Sequence, residues 1–189
     1  MTSENSGHEP ADNFSTLNNY LQSGLDIVFV GLNPATTSVA AGHYFANPRN
    51  RFWPALNRSG LVDRKLSPED DAHLLEYGIG FTDVVKRPTP QASGLTAADF
   101  RKWAPVLKAE LLRCQPRIAC FHGVTGYNAY LKYGEGINQK SELGLQARDI
   151  GASKVFVVPN PSPANAQFTL DDLVSWYRRL TNLRNELTA

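Results

Sequence analysis

The sequence predicts an α/β protein in which helices cover both faces of a short parallel sheet. Apolar runs of strand length occur at residues 26–31, 117–121 and 154–158, and helical segments lie between them. Strands buried on both faces have such continuous apolar runs, and helices connect them in parallel sheets. Ligands bind at the carboxyl ends of these strands, so the residues that follow each strand are the candidate functional residues.

Helix caps and prolines define the remaining elements. Ser67, Thr96 and Thr169 are residue types that cap helix N-termini. Pro54 requires its helix to begin late or kink, and Pro105 suggests a bend or a break. We therefore predict a strand at 79–85 and helices at 14–22, 49–59, 67–77, 97–114, 123–132 and 169–187.

The composition indicates a soluble globular protein. The 189 residues fit one domain, which we place at 14–189, after an acidic polar tail at 1–13 that we expect to be disordered. Three of the 18 acidic residues lie in that tail, so the body keeps 15 against 19 Lys and Arg. Such a modestly basic body is compatible with a phosphate-bearing partner.

Several other classes of protein lose support. No apolar run reaches the ~18 residues that a membrane helix needs, and the N-terminus lacks the layout of a signal peptide. Cys114 and Cys120 are expected to be reduced core side chains, which suggests a cytoplasmic setting. No Gly-x-Gly-x-x-Gly follows the first strand and no Gly-Lys-Ser/Thr occurs, which argues against dinucleotide and triphosphate sites.

Polar residues gather where the predicted strands end. Residues 31–34, Gly-Leu-Asn-Pro, follow the first strand, and Asn160 follows the strand at 154–158. Asp83 is the only acidic residue in a strand that otherwise looks buried. Asn33, Asp83 and Asn160 should therefore meet at one edge of the sheet. An amide can hold a water or a base edge in a set orientation, although Asn33 could equally cap a turn before Pro34.

Three segments together resemble the mismatch-specific uracil-DNA glycosylases, the bacterial branch of the uracil/thymine-DNA glycosylases. They are residues 31–53, 80–89 and 160–165, within a likeness that spans about residues 25–180. The resemblance implies a three-layer α/β/α sandwich around a short, mainly parallel sheet. It also implies a monofunctional hydrolase for base excision repair, which flips uracil out of U:G mispairs and other contexts and leaves an abasic site. Neither metal nor cofactor is expected.

The resemblance also assigns residues to tasks. Asn33 matches the asparagine that positions the attacking water, and Phe45 matches the aromatic that stacks on the flipped base. Ser38 matches a pocket-wall residue that governs tolerance of a 5-methyl group, and Asn160 matches the asparagine of the second motif. Tyr44, Leu32 and, less directly, His43 are further pocket residues, whereas His122 is expected to be a packed core histidine.

Asp83 departs from the familiar bacterial pattern, which has lysine at this position. A carboxylate there could polarise the water or stabilise a cationic sugar, as in glycoside hydrolysis. The structural alternative is a helix N-cap or an ion pair with Lys86 or Arg87. No lysine occupies a first-motif position where a Schiff-base nucleophile would be expected, so lyase activity is not predicted.

The second motif departs as well. Residues 160–166 are Asn-Pro-Ser-Pro-Ala-Asn-Ala, so Ala164 and Ala166 stand where the family has a wedge leucine and an arginine. Single-stranded or loosely paired DNA could therefore be accepted beside duplex DNA, and we expect a monomer. The predicted DNA contacts are Ser162, Pro163, Ala164, Asn165, Arg49, Arg51 and Lys86.

Two alternatives remain open. The first is a glycosylase for another lesion, such as hypoxanthine, xanthine or ethenocytosine, because pocket residues beyond Ser38 cannot be placed. The second is a non-enzymatic DNA- or nucleotide-binding α/β module, against which Asn33 and Phe45 argue.

Overall fold

A five-stranded, mostly parallel sheet forms the centre of the computed structural model, which describes residues 13–189. The strand order is β2-β1-β3-β5-β4; the first four are parallel and β4 is antiparallel to β5. The strands are β1 Ile27–Gly31, β2 Ile79–Asp83, β3 Ile118–His122, β4 Gly144–Leu145 and β5 Lys154–Val158. The predicted parallel sheet is confirmed. The prediction of a disordered tail at 1–13 falls, except for residue 13, outside the described residues.

Helices cover both faces of this sheet, as the sequence predicted. They are α1 Thr36–Ala41, α2 Phe52–Leu56, α3 Ala97–Cys114, α4 Val124–Tyr130 and α5 Leu170–Thr188, with 3₁₀ helices at Pro68–Tyr77 and Ala92–Gly94 and a π-helical turn at Leu131–Glu135. Ser67, Thr96 and Thr169 each form a capping box, which confirms the predicted helix starts.

Each face of the sheet has its own apolar core. Phe29, Phe81 and Cys120 lie on the face that α2 and α5 cover. Val28 and Phe121 lie on the opposite face, against α3 and α4. The alternation of side chains along each strand separates the two cores, and the result is the predicted three-layer α/β/α sandwich.

The predicted helix at 14–22 is wrong. This segment is extended, and Tyr20 pairs with Phe81 of β2: Tyr20 N donates to Phe81 O at 2.9 Å, and Phe81 N donates back at 3.1 Å. β2 is an outer strand whose free backbone groups need partners, and the segment supplies them. Gly80 permits the close approach, because a Cβ there would lie 2.1 Å from Tyr20 O. Backbone pairing therefore outweighs the local helical spacing.

Other boundaries differ in detail. The helix predicted at 49–59 contracts to α2, and Asn50 Oδ1 accepts a hydrogen bond from Phe52 N in the turn just before it. Residues 68–77 form a 3₁₀ helix, β2 ends at Asp83, and the helix predicted at 123–132 passes into a π-helical turn after Tyr130. α3 continues through Pro105, so of the bend or break predicted there, the break does not occur.

Two further predictions concern the interior and the membrane. Cys114 and Cys120 are buried and free, as expected of core thiols. None of the helices between residues 13 and 189 has the length and apolarity that crossing a bilayer requires.

Candidate active site

A cavity of about 1110 Å³ opens at the carboxyl ends of β1, β2, β3 and β5. It lies where parallel α/β sheets bind their ligands. Of the residues predicted for the site, these line it: Leu32, Asn33, Ser38, Tyr44, Phe45, Arg49, Asp83, Asn160, Ser162, Pro163, Ala164 and Asn165. The structure therefore brings together three segments that are distant in sequence. Arg51, Lys86 and His43 are not part of the lining.

The Asn33 carboxamide is held in one orientation. Its Nδ2 donates to Thr89 Oγ1 at 2.8 Å, to Arg87 O at 3.0 Å and to Pro34 O at 3.3 Å. Carbonyl oxygens can only accept, so the nitrogen must face them. No described residue donates to Asn33 Oδ1, which remains free to accept a hydrogen bond within the cavity. Asn33 therefore does more than cap the turn before Pro34, and the contact with Thr89 was not foreseen.

The Asp83 carboxylate lies in the cavity wall with no hydrogen-bond partner among the described residues. It is 5% exposed, and burial raises its pKa to about 7, an effect that Lys86 only partly opposes. Gly31, its partner in the β1–β2 register, makes room for it: a Cβ at Gly31 would lie 2.3 Å from Asp83 Oδ1. The carboxyl group therefore lies at the end of β1, two residues before Asn33.

The ion pairs proposed as the structural alternative for Asp83 do not form. Lys86 Nζ lies 3.2 Å from Glu110 Oε2 and also bonds to Asn19 and Thr82. Arg87 forms a two-pronged pair with Asp99, with bonds of 2.6 and 2.7 Å. Lys86 is 6% exposed and absent from the cavity lining, so its predicted contact with DNA is wrong. Its side chain instead fastens the extended N-terminal segment to α3.

Phe45 forms an aromatic wall of the cavity from a strained backbone. Its φ is 54°, a left-handed conformation that is rare for a bulky residue and typical of functional sites. The ring stacks on Phe52 with a centroid distance of 4.3 Å and an interplanar angle of 18°. Being half-buried, it retains ring surface toward the cavity. This placement suits the predicted stacking on a flat ligand.

Asp71, which the sequence analysis missed, holds the neighbouring residues in place. Its Oδ2 accepts from Tyr44 N at 2.9 Å, and its Oδ1 lies 3.1 Å from Tyr20 Oη and 3.3 Å from His43 Nδ1. His43 is thus a partner of Asp71 rather than a pocket residue. An acidic residue inside the helix predicted at 67–77 gave no sign of this role. Tyr44 itself is buried, and burial raises the pKa of its phenol, whose oxygen has no partner within the described chain.

Ser38 and Leu32 complete the wall on the side of α1. Ser38 Oγ accepts from Ala46 N at 3.3 Å, so this buried hydroxyl fastens α1 to the segment that carries Phe45. Leu32 is half-buried beside α4, where a Cβ added to Gly126 would lie 3.7 Å from its Cδ1. Both residues line the cavity, as predicted.

Arg51 organises the second-motif loop. Its guanidinium donates to four carbonyl oxygens: Ser162 O and Asn165 O at 2.7 Å, Pro161 O at 3.4 Å and Phe168 O. Arg51 therefore has a structural task, and its contact with DNA stays a prediction. Sequence could not reveal it, because the acceptors are backbone groups more than a hundred residues away.

The loop also bonds to itself. Asn160 Oδ1 accepts from Ser162 N at 2.9 Å, and Asn165 Nδ2 donates to Asn160 O at 3.0 Å. Pro163 and Ala164 form the exposed tip at the cavity rim. Arg49 is exposed at the same rim. The tip and Arg49 thus remain available to a partner, while the base of the loop is fixed.

His122 is buried at the end of β3, as expected of a core histidine, and it also lines the cavity. Its Nε2 lies 2.8 Å from Tyr177 Oη. Burial lowers the pKa of the imidazole to about 3, so the ring is neutral. Among residues 13–189, no group of three or more His, Cys, Asp or Glu side chains is arranged to hold a metal ion.

Comparison with known proteins agrees with this geometry. Residues 19–182 match the profile of the uracil DNA glycosylase superfamily. The solution NMR structure of a candidate uracil DNA glycosylase from Methanosarcina acetivorans superposes with a TM-score of 0.57 at 23% identity, over 92% of this chain and 98% of the other. At that identity the likeness shows a common fold. Because the profile covers most of the chain, the protein belongs to the uracil DNA glycosylase superfamily, a class of DNA glycosylases.

Proposed function

We propose that the protein is a monofunctional DNA glycosylase that removes uracil from U:G mispairs and other contexts and leaves an abasic site. One observation supports this above the others: the fixed Asn33 carboxamide shares one cavity with the Asp83 carboxylate, with which no residue in the described range 13–189 forms a hydrogen bond. A catalyst of base release needs an oriented water, a negative charge near the sugar and an aromatic surface for the base. Asn33, Asp83 and Phe45 supply these three features.

Asn33 and Asp83 have different tasks in the proposed reaction. Asn33 Oδ1 accepts a hydrogen bond from the water and aims its oxygen at C1′ of the flipped nucleotide. The new C1′–O bond forms as the N-glycosidic bond breaks, and the bonding electron pair leaves with the base. Asp83 stabilises the cationic sugar and takes the proton of the water. A base whose pKa is near 7 suits proton transfer at neutral pH.

The cavity supports hydrolysis without a covalent sugar intermediate. No lysine is among the described residues that line it, so the amine needed for a Schiff base is missing there. The partner that we propose is duplex DNA and, because Ala164 offers no bulky wedge, single-stranded DNA as well. We further propose that the protein acts as a monomer.

The test uses the full-length protein and oligonucleotides that each carry one modified base. Uracil, thymine, hypoxanthine, xanthine and ethenocytosine are placed opposite each normal base and in single strands, and abasic product is revealed by alkaline cleavage. We expect release of uracil, fastest opposite guanine. Asn33→Ala should abolish release, whereas the matched control Asn185→Ala, in α5, should not alter it.

Each alternative has its own outcome. Release of another lesion but not of uracil would assign a different substrate to the same site. Binding of DNA without abasic product from any oligonucleotide would identify a binding module and contradict the proposal.

A further inference from the structure

The His122 ring leaves one polar atom without a partner inside the cavity wall. The side chain is 3% exposed, and its Nδ1 is buried with no hydrogen-bond partner in the described part of the chain. Buried polar atoms nearly always have partners, and an exception at a ligand cavity suggests that the ligand supplies one. Burial of an unpaired polar group is costly, so a merely structural histidine would gain nothing from this arrangement.

The surroundings of the ring place it beside the proposed base site. It stacks on Phe29 with a centroid distance of 5.0 Å and meets the edge of Phe45 at 5.3 Å and 85°. β3 and β2 flank β1 on its two sides, so His122 and Asp83 lie at the same edge of the sheet, on either side of the end of β1. A base stacked on Phe45 therefore comes close to the imidazole.

Tyr177 determines which nitrogen of His122 carries the proton. The Tyr177 hydroxyl is fully buried, and no other acceptor among the described residues lies within reach of it. If Nε2 carried the proton, the hydroxyl hydrogen and Nδ1 would both be buried without partners. If the hydroxyl donates to Nε2, only the Nδ1–H group remains unpaired. The second arrangement costs less, so Nδ1 is a hydrogen-bond donor.

We propose, on the basis of the glycosylase function above, that His122 Nδ1–H donates to a carbonyl oxygen of the flipped base. The site then favours bases with a keto group at that position, such as uracil, over bases with an amino group, such as cytosine. An amino group facing Nδ1–H would leave two donors opposed and buried, which a polar site rejects strongly. Tyr177 acts as a positioning residue because it fixes the tautomer.

The test compares uracil with 2-thiouracil and 4-thiouracil in otherwise identical oligonucleotides. Sulfur is a weak acceptor, so loss of the hydrogen bond slows release at one of the two positions. The sulfur also changes the leaving group, but by the same amount in every variant. We therefore expect the uracil-to-thiouracil rate ratio at one position to be about 10-fold larger in the wild type than in His122→Gln.

A matched pair of variants separates recognition of the base carbonyl from the contact with Tyr177. The Asn side-chain nitrogen lies as many bonds from Cβ as His Nδ1 does, and the Gln nitrogen as many as Nε2 does. His122→Asn should thus keep the wild-type uracil-to-thiouracil rate ratio but lose the hydrogen bond to Tyr177. His122→Gln should keep the hydrogen bond to Tyr177 but lose the wild-type ratio. Equal ratios in the wild type and His122→Gln at both positions would overturn the inference while leaving the proposed function intact.

A second measurement does not depend on activity. Nitrogen-15 NMR of the wild type should show a protonated, pyrrole-type Nδ1 and a pyridine-type Nε2 at His122, and Tyr177→Phe should mix the two forms. A protonated Nε2 in the wild type would contradict the inference even if uracil is released. If no base is released from any oligonucleotide, the proposed function and this inference both fail.

Discussion

The end of β1 and the second-motif loop face the same cavity but are built in opposite ways. At the end of β1, Asn33 Oδ1 and the Asp83 carboxylate have no hydrogen-bond partners among residues 13–189, although their surroundings are rigid. In the loop, Arg51 bonds to four carbonyl oxygens, and Asn160 and Asn165 bond within the loop. The comparison indicates that one region keeps its polar groups for the ligand, whereas the other uses them to hold its shape.

The largest expected effect concerns Asp83. Asp83→Asn should slow single-turnover release of uracil about 1,000-fold, within the range for loss of a general base. The wild-type rate should rise with pH through about 7 as the carboxylate ionises, and the variant should lose this dependence. Rapid-quench kinetics between pH 5 and pH 9 measure both. A wild-type rate in Asp83→Asn, beside an inactive Asn33→Ala, would make Asp83 a structural residue.

The same substitution should stabilise the fold at high pH. Because the folded-state pKa of Asp83 is about 7 and the unfolded value is near 3.8, the native protein binds an extra proton between these values. Stability is therefore lost as pH rises through that window. Asp83→Asn removes the free-energy cost of ionising this buried carboxyl group, which reaches about 4 kcal/mol above pH 7. Urea unfolding at pH 4 and pH 8 tests this, and equal gains at both pH values would contradict it.

Gly31→Ala should disrupt the same site without removing a polar atom. The added methyl group lies 2.3 Å from Asp83 Oδ1, so the carboxyl end of that side chain has to move while the backbone stays. We expect release of uracil to slow about 100-fold, since small misplacements of catalytic groups have effects of that size. The melting temperature should change little.

The double variant Gly31→Ala/Asp83→Asn serves as the control for this interpretation. If the methyl group acts through the carboxylate, adding Gly31→Ala to Asp83→Asn should cost little more. Independent, multiplying losses would show that Gly31 acts in another way.

Variants of Arg51 and Arg49 form a matched pair that tests the second-motif loop. Arg51→Lys keeps the positive charge but cannot donate to four carbonyl oxygens, so residues 161–168 should be held less firmly. We expect the free energy of unfolding to fall by about 2 kcal/mol and DNA binding to weaken about 10-fold. Arg49→Ala should leave stability unchanged and reduce the salt dependence of DNA binding by about one phosphate contact. Urea unfolding and salt titrations distinguish the two. Equal stability of both variants would refute the structural task of Arg51.

The smallest expected effect concerns the loop tip. Ala164→Leu adds an apolar wedge to an exposed position on a rigid loop, which should favour release from duplex over single-stranded DNA by about 3- to 10-fold. The matched control is Ala166→Leu, which lies outside the cavity lining. Ratios of single-turnover rates on the two kinds of DNA measure the effect, and an unchanged ratio would show that Ala164 does not meet the helix.

Much of the site could be predicted from the sequence because strand ends in a parallel sheet converge. Asn33, Asp83 and Asn160 follow recognisable strands, and the structure places all three around one cavity. The failures share a cause. Lys86 was assigned to the surface from its position after a strand, whereas its partners Glu110 and Asn19 lie far along the chain. Residues 14–22 have helical spacing, but the free edge of β2 determined their conformation.

The sequence by itself determined the α/β class, the four parallel strands, the starts of the capped helices and the residue types at the sheet edge, because apolar runs, caps and strand ends are local patterns. Only the tertiary structure decided which polar atoms are satisfied. Arg51 is engaged by backbone carbonyls. Within the described part of the chain, Asp83 has no hydrogen-bond partner and His122 is bonded through one nitrogen only. Such partners come from distant segments, and it is their presence or absence that sets a side chain's charge, orientation and readiness to bind.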